Sequence, residues 1–335
     1  MNDIFEYVDN FSTYKDVRSS LTYGDTSNVP NPEISVIMPV YRRPELFRIA
    51  LQSVLNQDFA GEYEILVIDN DVENPGKNDN QRIIEEFGSP RILYYRNERN
   101  IGMFGNWNRG VELARAPYLT YCHDDDMFLP DTLSILMSTK KRNDDRAVFG
   151  AHNTIDSAGN VVNKVSYPRR KFRLLCEKEK FQYGKWDVFV SSPGFGCGCL
   201  FSRDKMIEIG GYNPQFYPSS DYALNAVYIF NYGGIFCNKP TFNYRIAENE
   251  SLKVYEQFVI VDKHFRECMS NKLKAPKFIL NRIILANYRI TKLSFAVNWG
   301  KKSPEILRQI KFSDKLIMKL IGLARALKKY KIAFN

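Results

Sequence analysis

The sequence predicts an α/β protein with an open, mostly parallel sheet flanked by helices, followed by a helical C-terminal region. Apolar runs typical of strands buried on both faces alternate with helical patterns four times between residues 34 and 122. From residue 251 onward the pattern is helical. We therefore divide the chain of 335 residues into an N-terminal extension (1–32), an α/β domain (33–250) and a helical basic region (251–335).

Each element of the α/β domain follows from its own pattern. Residues 1–32 are polar and end in the Pro- and Asn-rich sequence NVPNPE, which indicates a surface extension. The predicted strands share continuous apolar runs and comprise Ile34–Val40, Glu64–Asp69, Arg91–Tyr95 and Tyr118–Cys122. The predicted helices share apolar positions at helical spacing and comprise Pro44–Gln57, Gln81–Phe87 and Met103–Ala114. Because alternating strands and helices give parallel strands, ligands are expected at the carboxyl ends of the strands.

After Pro130 the pattern is less regular. A helix is predicted over Leu133–Met137 and another begins near Asp221, whereas the predicted strands and hairpin arm are Ala147–Ala151, Asn160–Tyr167, Gly234–Asn238 and Thr241–Arg245. A glycine-rich loop spans residues 191–204. Its glycines either let the backbone approach a ligand closely or only form a turn.

Three consecutive carboxylates, residues 124–126, follow His123 at the end of the fourth predicted strand. Adjacent carboxylates repel one another, and hard oxygen ligands suit Mg²⁺ or Mn²⁺ completed by substrate phosphates. The alternative is a solvated acidic turn in which Asp131 caps the next helix. The first strand ends in Pro39–Tyr41 and the second in Asp69, so polar groups from three strand ends are expected to converge.

The cysteines and the N-terminus predict a cytoplasmic protein. The six cysteines form no CxxC pair, and we interpret them as reduced core thiols. The N-terminal sequence MNDIFEYVDN is acidic, where a signal peptide would be basic and then apolar. No run reaches the roughly 18 apolar residues that a membrane span requires, so the chain is not expected to cross a bilayer.

The positive charge is concentrated at the C-terminus. Residues 301–335 contain ten Lys or Arg and two acidic residues, which is most of the formal net charge of +9. On a helical projection the basic side chains share one arc, whereas Ile306, Ile310, Ile317, Leu320, Ile321 and Ala324 lie opposite. Residues 301–331 would therefore bind an anionic membrane surface or pack their apolar side on the domain. The few aromatic residues in this region do not predict nucleic-acid binding.

Four segments in order carry a resemblance to a known family. They read PVYRRPELFRIALQSVLNQ, EILVIDND, RNERNIGMFGNWNRGVELARAPYLTYCHDDDMFLPDTL and GGYNPQFYPSSDYALN. This series resembles glycosyltransferase family two, the inverting enzymes that use nucleotide sugars, over residues 33–246. The resemblance implies the GT-A fold, a Rossmann-like nucleotide-binding half joined to an acceptor-binding half.

The resemblance also implies roles for individual residues. Pro39 and Tyr41 would flank the nucleobase, which is usually uracil, and Asp69 would contact it. Asp124 would contact the ribose, and Asp125 would bind Mn²⁺ or Mg²⁺. The remaining donor-binding positions implied by the resemblance are Asn100, Asn108, Gly196 and Gly198.

Asp221 matches the family's general base, which opens a helix after a Gly-Gly-aromatic turn. The sequence departs from the family at three places. His123 stands where the first Asp of the DxD motif is commonest, and Ser220 replaces a Glu before the base. Tyr244 and Arg245 match a family pair, but no histidine follows them closely, so the resemblance assigns them no diphosphate contact.

On this resemblance the chain would transfer a sugar from a UDP-sugar to a hydroxyl of a glycan acceptor, with a divalent metal ion. The acceptor would be carried on a polyprenyl diphosphate at the inner face of the plasma membrane, in bacterial surface polysaccharide synthesis. A nucleotidyltransferase is the alternative enzyme, although PVYRRPEL lacks the glycine of a triphosphate-binding loop. A non-catalytic, basic membrane-binding protein is the alternative from another class. No GxGxxG or GxxxxGK[ST] motif supports a dinucleotide site or a P-loop.

Overall fold

A computed structural model describes residues 1–73, 76–140, 144–163, 175–192, 196–246, 254–298 and 310–332. The strands are β1 (Ser19–Tyr23), β2 (Ile34–Val40), β3 (Tyr63–Asp69), β4 (Ile92–Asn97), β5 (Tyr118–Tyr121), β6 (Met127–Phe128), β7 (Ala147–Ile155), β8 (Val161–Asn163), β9 (Leu175–Glu177), β10 (Lys180–Tyr183), β11 (Cys199–Ser202), β12 (Gly234–Arg245) and β13 (Tyr330–Ile332). The α-helices are α1 (Pro44–Leu55), α2 (Asp79–Phe87), α3 (Gly102–Leu113), α4 (Thr132–Thr139), α5 (Lys185–Val190), α6 (Arg203–Glu208), α7 (Ser220–Tyr232), α8 (Tyr255–Lys272), α9 (Lys277–Asn298) and α10 (Phe312–Lys329).

One large sheet dominates the described residues, in the order β1-β4-β3-β2-β5-β11-β7-β12-β10. Its central strands β4, β3, β2 and β5 are parallel to one another, as the sequence predicts. β11 is antiparallel to both β5 and β7, and β7 and β12 are parallel. The alternation of buried strands and helices in the first half of the domain is therefore confirmed.

The register of the central strands fixes where the functional groups meet. All seven residues of β2 and all seven of β3 are buried. Val40 pairs with Asp69, so β2 and β3 end side by side. The N–H of Cys122 donates to the carbonyl of Ile37 over 3.0 Å, which places the end of β5 beside the same edge. The carboxyl ends of three parallel strands thus lie together.

Helices cover both faces of this sheet, which explains why its strands read as continuous apolar runs. On one face α1, α2 and α4 contribute to an apolar core that includes Phe47 and Leu136. On the other face α3, α5, α7, α8 and α9 enclose a more aromatic core that includes Trp107, Tyr222 and Phe265. The C-terminal helices α8 and α9 therefore belong to the packed domain.

Residues 1–32, which we interpret from the sequence as a surface extension, contribute a strand to the sheet. β1 adds an antiparallel edge strand to β4, with Ser19 opposite Asn97, and Val17 and Val29 are buried. Only partly buried and exposed residues make up β1, so the strand lacks the continuous apolar run that marks β2. An edge strand of this kind leaves little trace in the hydrophobic pattern.

The predicted strands Gly234–Asn238 and Thr241–Arg245 form one longer strand, β12. Its pairing with β7 is irregular around Pro240, where proline has no N–H to donate to the ladder. That irregularity explains the two separate sequence patterns. The described part of the predicted hairpin arm is β8, which pairs with β7.

The C-terminal region is helical, as predicted, and α9 and α10 are joined by an ion pair in which Arg289 Nη1 lies 3.0 Å from Asp314 Oδ2. Within the described ranges, every helix is too short or too polar to span a membrane. Cys122, Cys197, Cys199, Cys237 and Cys268 are free and buried.

Candidate active site

A cavity of about 480 Å³ opens at the carboxyl ends of β2, β3 and β5. The predicted residues that line it are Pro39, Tyr41, Asn100, Asp124, Asp125 and Asp221. A second cavity, of about 580 Å³, lies between α1 and β6 and has no carboxylate among its lining residues. The first cavity is therefore the candidate active site, because it combines an enclosed space with convergent charged groups.

The acidic turn, which comprises residues 123–126, forms one wall of the cavity. Asp124 accepts a hydrogen bond from the N–H of Tyr41 over 3.5 Å, so the ends of β5 and β2 are linked. Burial raises the pKa of Asp124 to about 7, and the nearby Asp125 charge adds to the shift. Burial and the Asp126 charge likewise raise the pKa of Asp125. Ionising these carboxylates together is costly, so a cation between them would be stabilising.

A cation already bridges two of these carboxylates. Arg43 Nη1 lies 2.8 Å from Asp125 Oδ2 and 3.4 Å from Asp124 Oδ1. Two carboxylate oxygens from neighbouring residues therefore converge on one positively charged group. This oxygen donor set fits Mg²⁺ or Mn²⁺, which is held by one or two carboxylates together with substrate phosphates.

His123 is the first residue of the acidic turn. Its ring stacks on Trp107, with ring centroids 4.8 Å apart and an interplanar angle of 20°. Its Nδ1 lies 3.5 Å from Asp126 Oδ2. Burial lowers the pKa of His123, but the contact with Asp126 and the charges of Asp125 and Asp124 outweigh burial and raise it. Within the described residues, His123 Nε2 is buried without a hydrogen-bond partner.

A second group of metal-ligating atoms lies beneath the acidic turn. The ligand atoms of His123, Asp126 and Cys197 all lie within 4.8 Å of one another. Burial and the neighbouring Cys122 raise the pKa of the Cys197 thiol well above its ordinary value. Because metals bind the thiolate, a thiol held in its protonated form is a poor ligand. The pair Asp124 and Asp125 is the better candidate for a metal site.

Arg245 supports the acidic turn from β12. Its backbone N–H donates to Asp126 Oδ1 over 3.1 Å, and its Nε donates to the carbonyl of Asp125 over 2.9 Å. Its Nη1 donates to the carbonyls of Asp156 and Ser157 in the turn between β7 and β8. The sequence pattern singled out Arg245 but gave it no role, because these partners are distant in the chain.

Asp221 enters the cavity from the first turn of α7. Burial raises the pKa of Asp221 to about 6; the charge of Asp262 on α8 adds to the shift and that of His123 opposes it. Ser219, two residues before Asp221, donates from Oγ to Asp262 Oδ1 over 2.9 Å. A carboxylate with a pKa near neutrality can accept a proton during a reaction. Asp262 lies beyond the motifs that the sequence analysis used.

Asn108 holds the turn that precedes α7. Its Nδ2 donates to the carbonyl of Tyr212 over 2.8 Å, and its Oδ1 accepts from the N–H of Tyr212 over 2.8 Å. Gly211 has a φ of +72°, and a Cβ there would lie 2.6 Å from Asn108 Oδ1. Asn108 is buried and lies outside the cavity lining, so its contacts position α7, the helix that carries Asp221.

Asp69 is fully buried and lies outside the cavity lining. Its Oδ2 accepts hydrogen bonds from Tyr94, Asn78 and Asn80 over 2.6 to 3.0 Å. These bonds hold the loop after β3. The next residue, Asn70, lines the cavity and donates from Nδ2 to the carbonyl of Gly102 over 3.1 Å.

Gly196 and Gly198 also lie outside the cavity lining. Gly198 has a φ of +62°, and a Cβ there would meet the Phe242 ring at 2.5 Å and Thr241 Oγ1 at 2.7 Å. Its lack of a side chain therefore allows β12 to approach closely. Several other cavity residues, Trp107 and Phe258 among them, were not assigned a role from the sequence.

A family model described as Glycosyl transferase family 2 matches residues 35–210. A GalNAc(5)-diNAcBac-PP-undecaprenol beta-1,3-glucosyltransferase of Campylobacter jejuni is 28% identical over 224 residues, which cover 66% of this chain and 67% of the relative. The Escherichia coli UDP-Glc:alpha-D-GlcNAc-diphosphoundecaprenol beta-1,3-glucosyltransferase WfgD is 25% identical over 281 residues, which cover 80% of this chain and 98% of the relative. For two other curated relatives the chain spans only 50% and 39% of their length.

Among solved structures, the crystal structure of S. aureus TarS 1-349 in complex with UDP-GlcNAc is similar to this chain. The TM-score is 0.54 at 15% sequence identity, and the match covers 83% of this chain and 78% of that structure. At this identity the likeness concerns the fold, and it confirms the GT-A class that the sequence predicts.

Proposed function

The chain belongs to glycosyl transferase family 2, and on this premise we propose that it transfers a sugar from a UDP-sugar to a hydroxyl of a lipid-linked glycan acceptor. One observation carries the proposal: Asp221 lines the same cavity as the Arg43-bridged pair Asp124 and Asp125. Glycosyl transfer from a nucleoside-diphosphate sugar requires a general base and a cation site in the same cavity. Family membership favours this reaction over nucleotidyl transfer.

In the proposed reaction Asp221 accepts the proton of the acceptor hydroxyl as its oxygen attacks the anomeric carbon. The bond between the anomeric carbon and the phosphate oxygen breaks, UDP leaves, and the anomeric configuration inverts. Asp125, together with Asp124, which the resemblance placed at the ribose, would hold Mn²⁺ or Mg²⁺, and the ion would supply charge stabilisation for the departing diphosphate. Asp221 suits its task because its raised pKa, about 6, brings it closer to a working pH near 7.

The nucleoside would lie between β2 and the N-terminus of α3. Pro39, Tyr41 and Asn100 line this part of the cavity, and the ring of Tyr41 is partly exposed. An exposed aromatic ring at a strand end offers a surface for a base to stack on. Asn70 is the neighbouring polar group available to the base, since Asp69 is held by its internal hydrogen bonds.

An acceptor on a polyprenyl diphosphate is supported by the names of the two bacterial relatives, which include undecaprenol carriers. The test is to incubate the protein with UDP-glucose, UDP-GlcNAc or UDP-galactose, Mn²⁺ and undecaprenyl-diphosphate-linked GlcNAc. We expect UDP release that depends on the acceptor, and a β-linked product by NMR. If the protein instead joins a nucleoside triphosphate to a sugar phosphate and releases pyrophosphate, the nucleotidyltransferase alternative is favoured.

We further propose that α10 contacts an anionic membrane surface. Five of its apolar side chains are exposed, Phe312, Leu316, Leu320, Leu323 and Leu327, with Phe312 82% exposed. On a helical projection they form one stripe, and Lys315 and Lys319 are exposed beside it. An apolar stripe flanked by lysines is the pattern of a helix that lies in the headgroup region.

This stripe differs from the apolar face that the sequence predicted. Ile317 and Ile321 are partly buried, and Ile321 packs against the aromatic core. Leu320 and Ala324, which were predicted on the same face, are exposed. Arg308, Ile306 and residues 301–309 generally lie outside the described residues. The described contacts turn only part of the apolar surface inward, so a second apolar stripe faces solvent.

A second copy of the chain is a weaker candidate for covering this stripe, because pairing two such helices would bring lysines together. The test is co-sedimentation with vesicles that contain phosphatidylglycerol, compared with phosphatidylcholine vesicles. Lys315→Glu/Lys319→Glu is expected to abolish binding, whereas the charge-matched control Lys15→Glu/Lys180→Glu is expected to bind normally. Equal binding by both variants would contradict the proposal, as would a dimer in solution that covers the stripe.

A further inference from the structure

The ion pair between Arg43 and the acidic turn differs from the other buried ion pairs of the domain. Arg43 follows β2 directly and precedes α1, and its side chain is 41% exposed. Its partners are much less accessible, with side-chain exposures of 12% for Asp124 and 22% for Asp125. A movable cation therefore contacts two fixed carboxylates.

Arg245 and Arg115 provide the contrast. Arg245 is 3% exposed and is held by carbonyl groups from two different loops. Arg115 makes a two-point contact with the fully buried Glu64 and also donates to the carbonyl of Val29. Both arginines are locked into the fold. Arg43 lines the active-site cavity, and at 41% exposed its guanidinium borders open space.

We propose that Arg43 is a resident counter-ion of the acidic turn, which the divalent metal displaces and which then binds the diphosphate of the donor. This inference rests on the proposed function, because it assigns the metal to Asp124 and Asp125. Nη1 of Arg43 bridges the same two carboxylates that would bind the metal. A metal ion at these oxygens would repel the guanidinium and compete for the same negative charge, so metal binding favours release of Arg43.

The released guanidinium is well placed for the second part of this role. Arg43 lies in the loop between Tyr41 and α1, on the same wall of the cavity as the proposed nucleoside site. A guanidinium binds two phosphate oxygens at once, and the diphosphate would arrive together with the metal. The movement would thus keep every charge paired before and after the donor binds.

Linkage gives this exchange a measurable consequence. Because the metal must replace Arg43 at the carboxylates, Arg43 weakens the binding of free metal. Because Arg43 then binds the diphosphate, it strengthens the binding of nucleotide once the metal is present. Removing the guanidinium should therefore change these two affinities in opposite directions. A purely structural ion pair would not produce that pattern.

Arg42 is the matched control. It is the preceding residue, and its side chain has the same exposure of 41%. It pairs with Asp71 and Glu73 and lies over the ring of Tyr41, with 4.9 Å from its guanidinium carbon to the ring centroid. Arg42→Gln removes one positive charge from the same loop and leaves the contacts of Arg43 with the acidic turn in place.

The experiment is to measure Mn²⁺ binding by electron paramagnetic resonance in wild type, Arg43→Gln and Arg42→Gln without nucleotide, and then UDP binding at saturating Mn²⁺. We expect Arg43→Gln to bind free Mn²⁺ about tenfold more tightly and UDP about tenfold more weakly, the scale of one charge-assisted hydrogen bond. Arg42→Gln is expected to match wild type for Mn²⁺. Arg43→Lys, which keeps the charge, is expected to lie between wild type and Arg43→Gln for Mn²⁺.

The proposal is overturned if Arg43→Gln binds Mn²⁺ no more tightly than Arg42→Gln. Unchanged UDP affinity in Arg43→Gln would overturn the transfer of the guanidinium to the diphosphate. Failure of the proposed function has a different signature, because wild type would then bind no UDP at any Mn²⁺ concentration. Thermal unfolding of each variant confirms that the comparison concerns folded proteins.

Discussion

The hydroxyl of Ser219 donates a hydrogen bond to Asp262 over 2.9 Å, and this bond joins the helical C-terminal region to the start of α7. Asp262 lies on α8, whereas Asp221 lies on α7 two residues after Ser219. The negative charge of Asp262 contributes to the raised pKa of Asp221. The C-terminal region therefore takes part in setting the protonation of the proposed base.

Asp262→Asn is expected to move the acidic limb of the pH–rate profile to lower pH. In wild type the rate should rise through pH 6, because Asp221 must lose its proton to act as a base. Asparagine removes the charge of Asp262 but still accepts from Ser219, so the pKa of Asp221 should fall. The control is Glu267→Gln, an exposed acid on the same helix, which should leave the limb unchanged. An unshifted limb in Asp262→Asn would contradict this role of α8.

Asp221→Asn is expected to lower the turnover rate by about 10² to 10⁴, the usual contribution of a general base. The same variant should be more stable than wild type at pH 8 by about 1 to 2 kcal/mol. The pKa of Asp221 is about 6 in the folded protein and lower in the unfolded chain. The free energy of unfolding of wild type is therefore highest below pH 4, and it falls as the pH rises through 6. Urea unfolding at pH 4 and pH 8 measures this difference. Loss of stability at pH 8 would show that Asp221 has a structural role.

Arg245→Met is expected to lower the free energy of unfolding by about 3 to 5 kcal/mol, since it removes a buried cation from several carbonyl groups. Arg99→Met is the control, because its ion pair with Asp16 lies at the surface and should contribute little to stability. Urea unfolding provides both values. Similar losses in the two variants would contradict the support that Arg245 gives to the acidic turn.

Gly198→Ala is expected to destabilise the fold by about 2 to 4 kcal/mol, because its Cβ would overlap Phe242 in a left-handed backbone conformation. Gly196→Ala should cost less than about 1 kcal/mol, since the nearest atom to its Cβ, Tyr212 Oη, would be 3.3 Å away. Thermal unfolding compares the two variants. Equal stability of the two would argue against the close approach of β12 at Gly198.

Sequence patterns predicted the central sheet well because each strand is buried on both faces. Ile34–Val40 matches β2 at both ends, and the acidic turn after β5 lies where the parallel topology places it. Asp221 was identified from the family resemblance, as the acid that opens a helix after a Gly-Gly-aromatic turn. These features depend on local pattern and on the rule that ligands bind at the carboxyl ends of parallel strands.

Other features depend on which distant segments touch, and the patterns contain no such information. Asn108 was expected to bind the donor, but it clamps the backbone of Tyr212, which is 104 residues away in the chain. Asp262 and the contacts of Arg245 with the acidic turn are equally distant pairings. The exposed position of Leu320 depends on the contacts that α10 makes with its neighbours, which a helical projection does not provide.

The decisive experiment is a calorimetric titration of wild type and Asp125→Asn with UDP, GDP, CMP and dTDP, with and without Mn²⁺. UDP is expected to bind, and its binding is expected to require both Mn²⁺ and the carboxylate of Asp125. Retained secondary structure in Asp125→Asn, measured by circular dichroism, is the control. Absence of binding by every nucleotide, or UDP binding that is equal without Mn²⁺ and in Asp125→Asn, would contradict the assignment of this cavity as a metal-dependent nucleotide-sugar site.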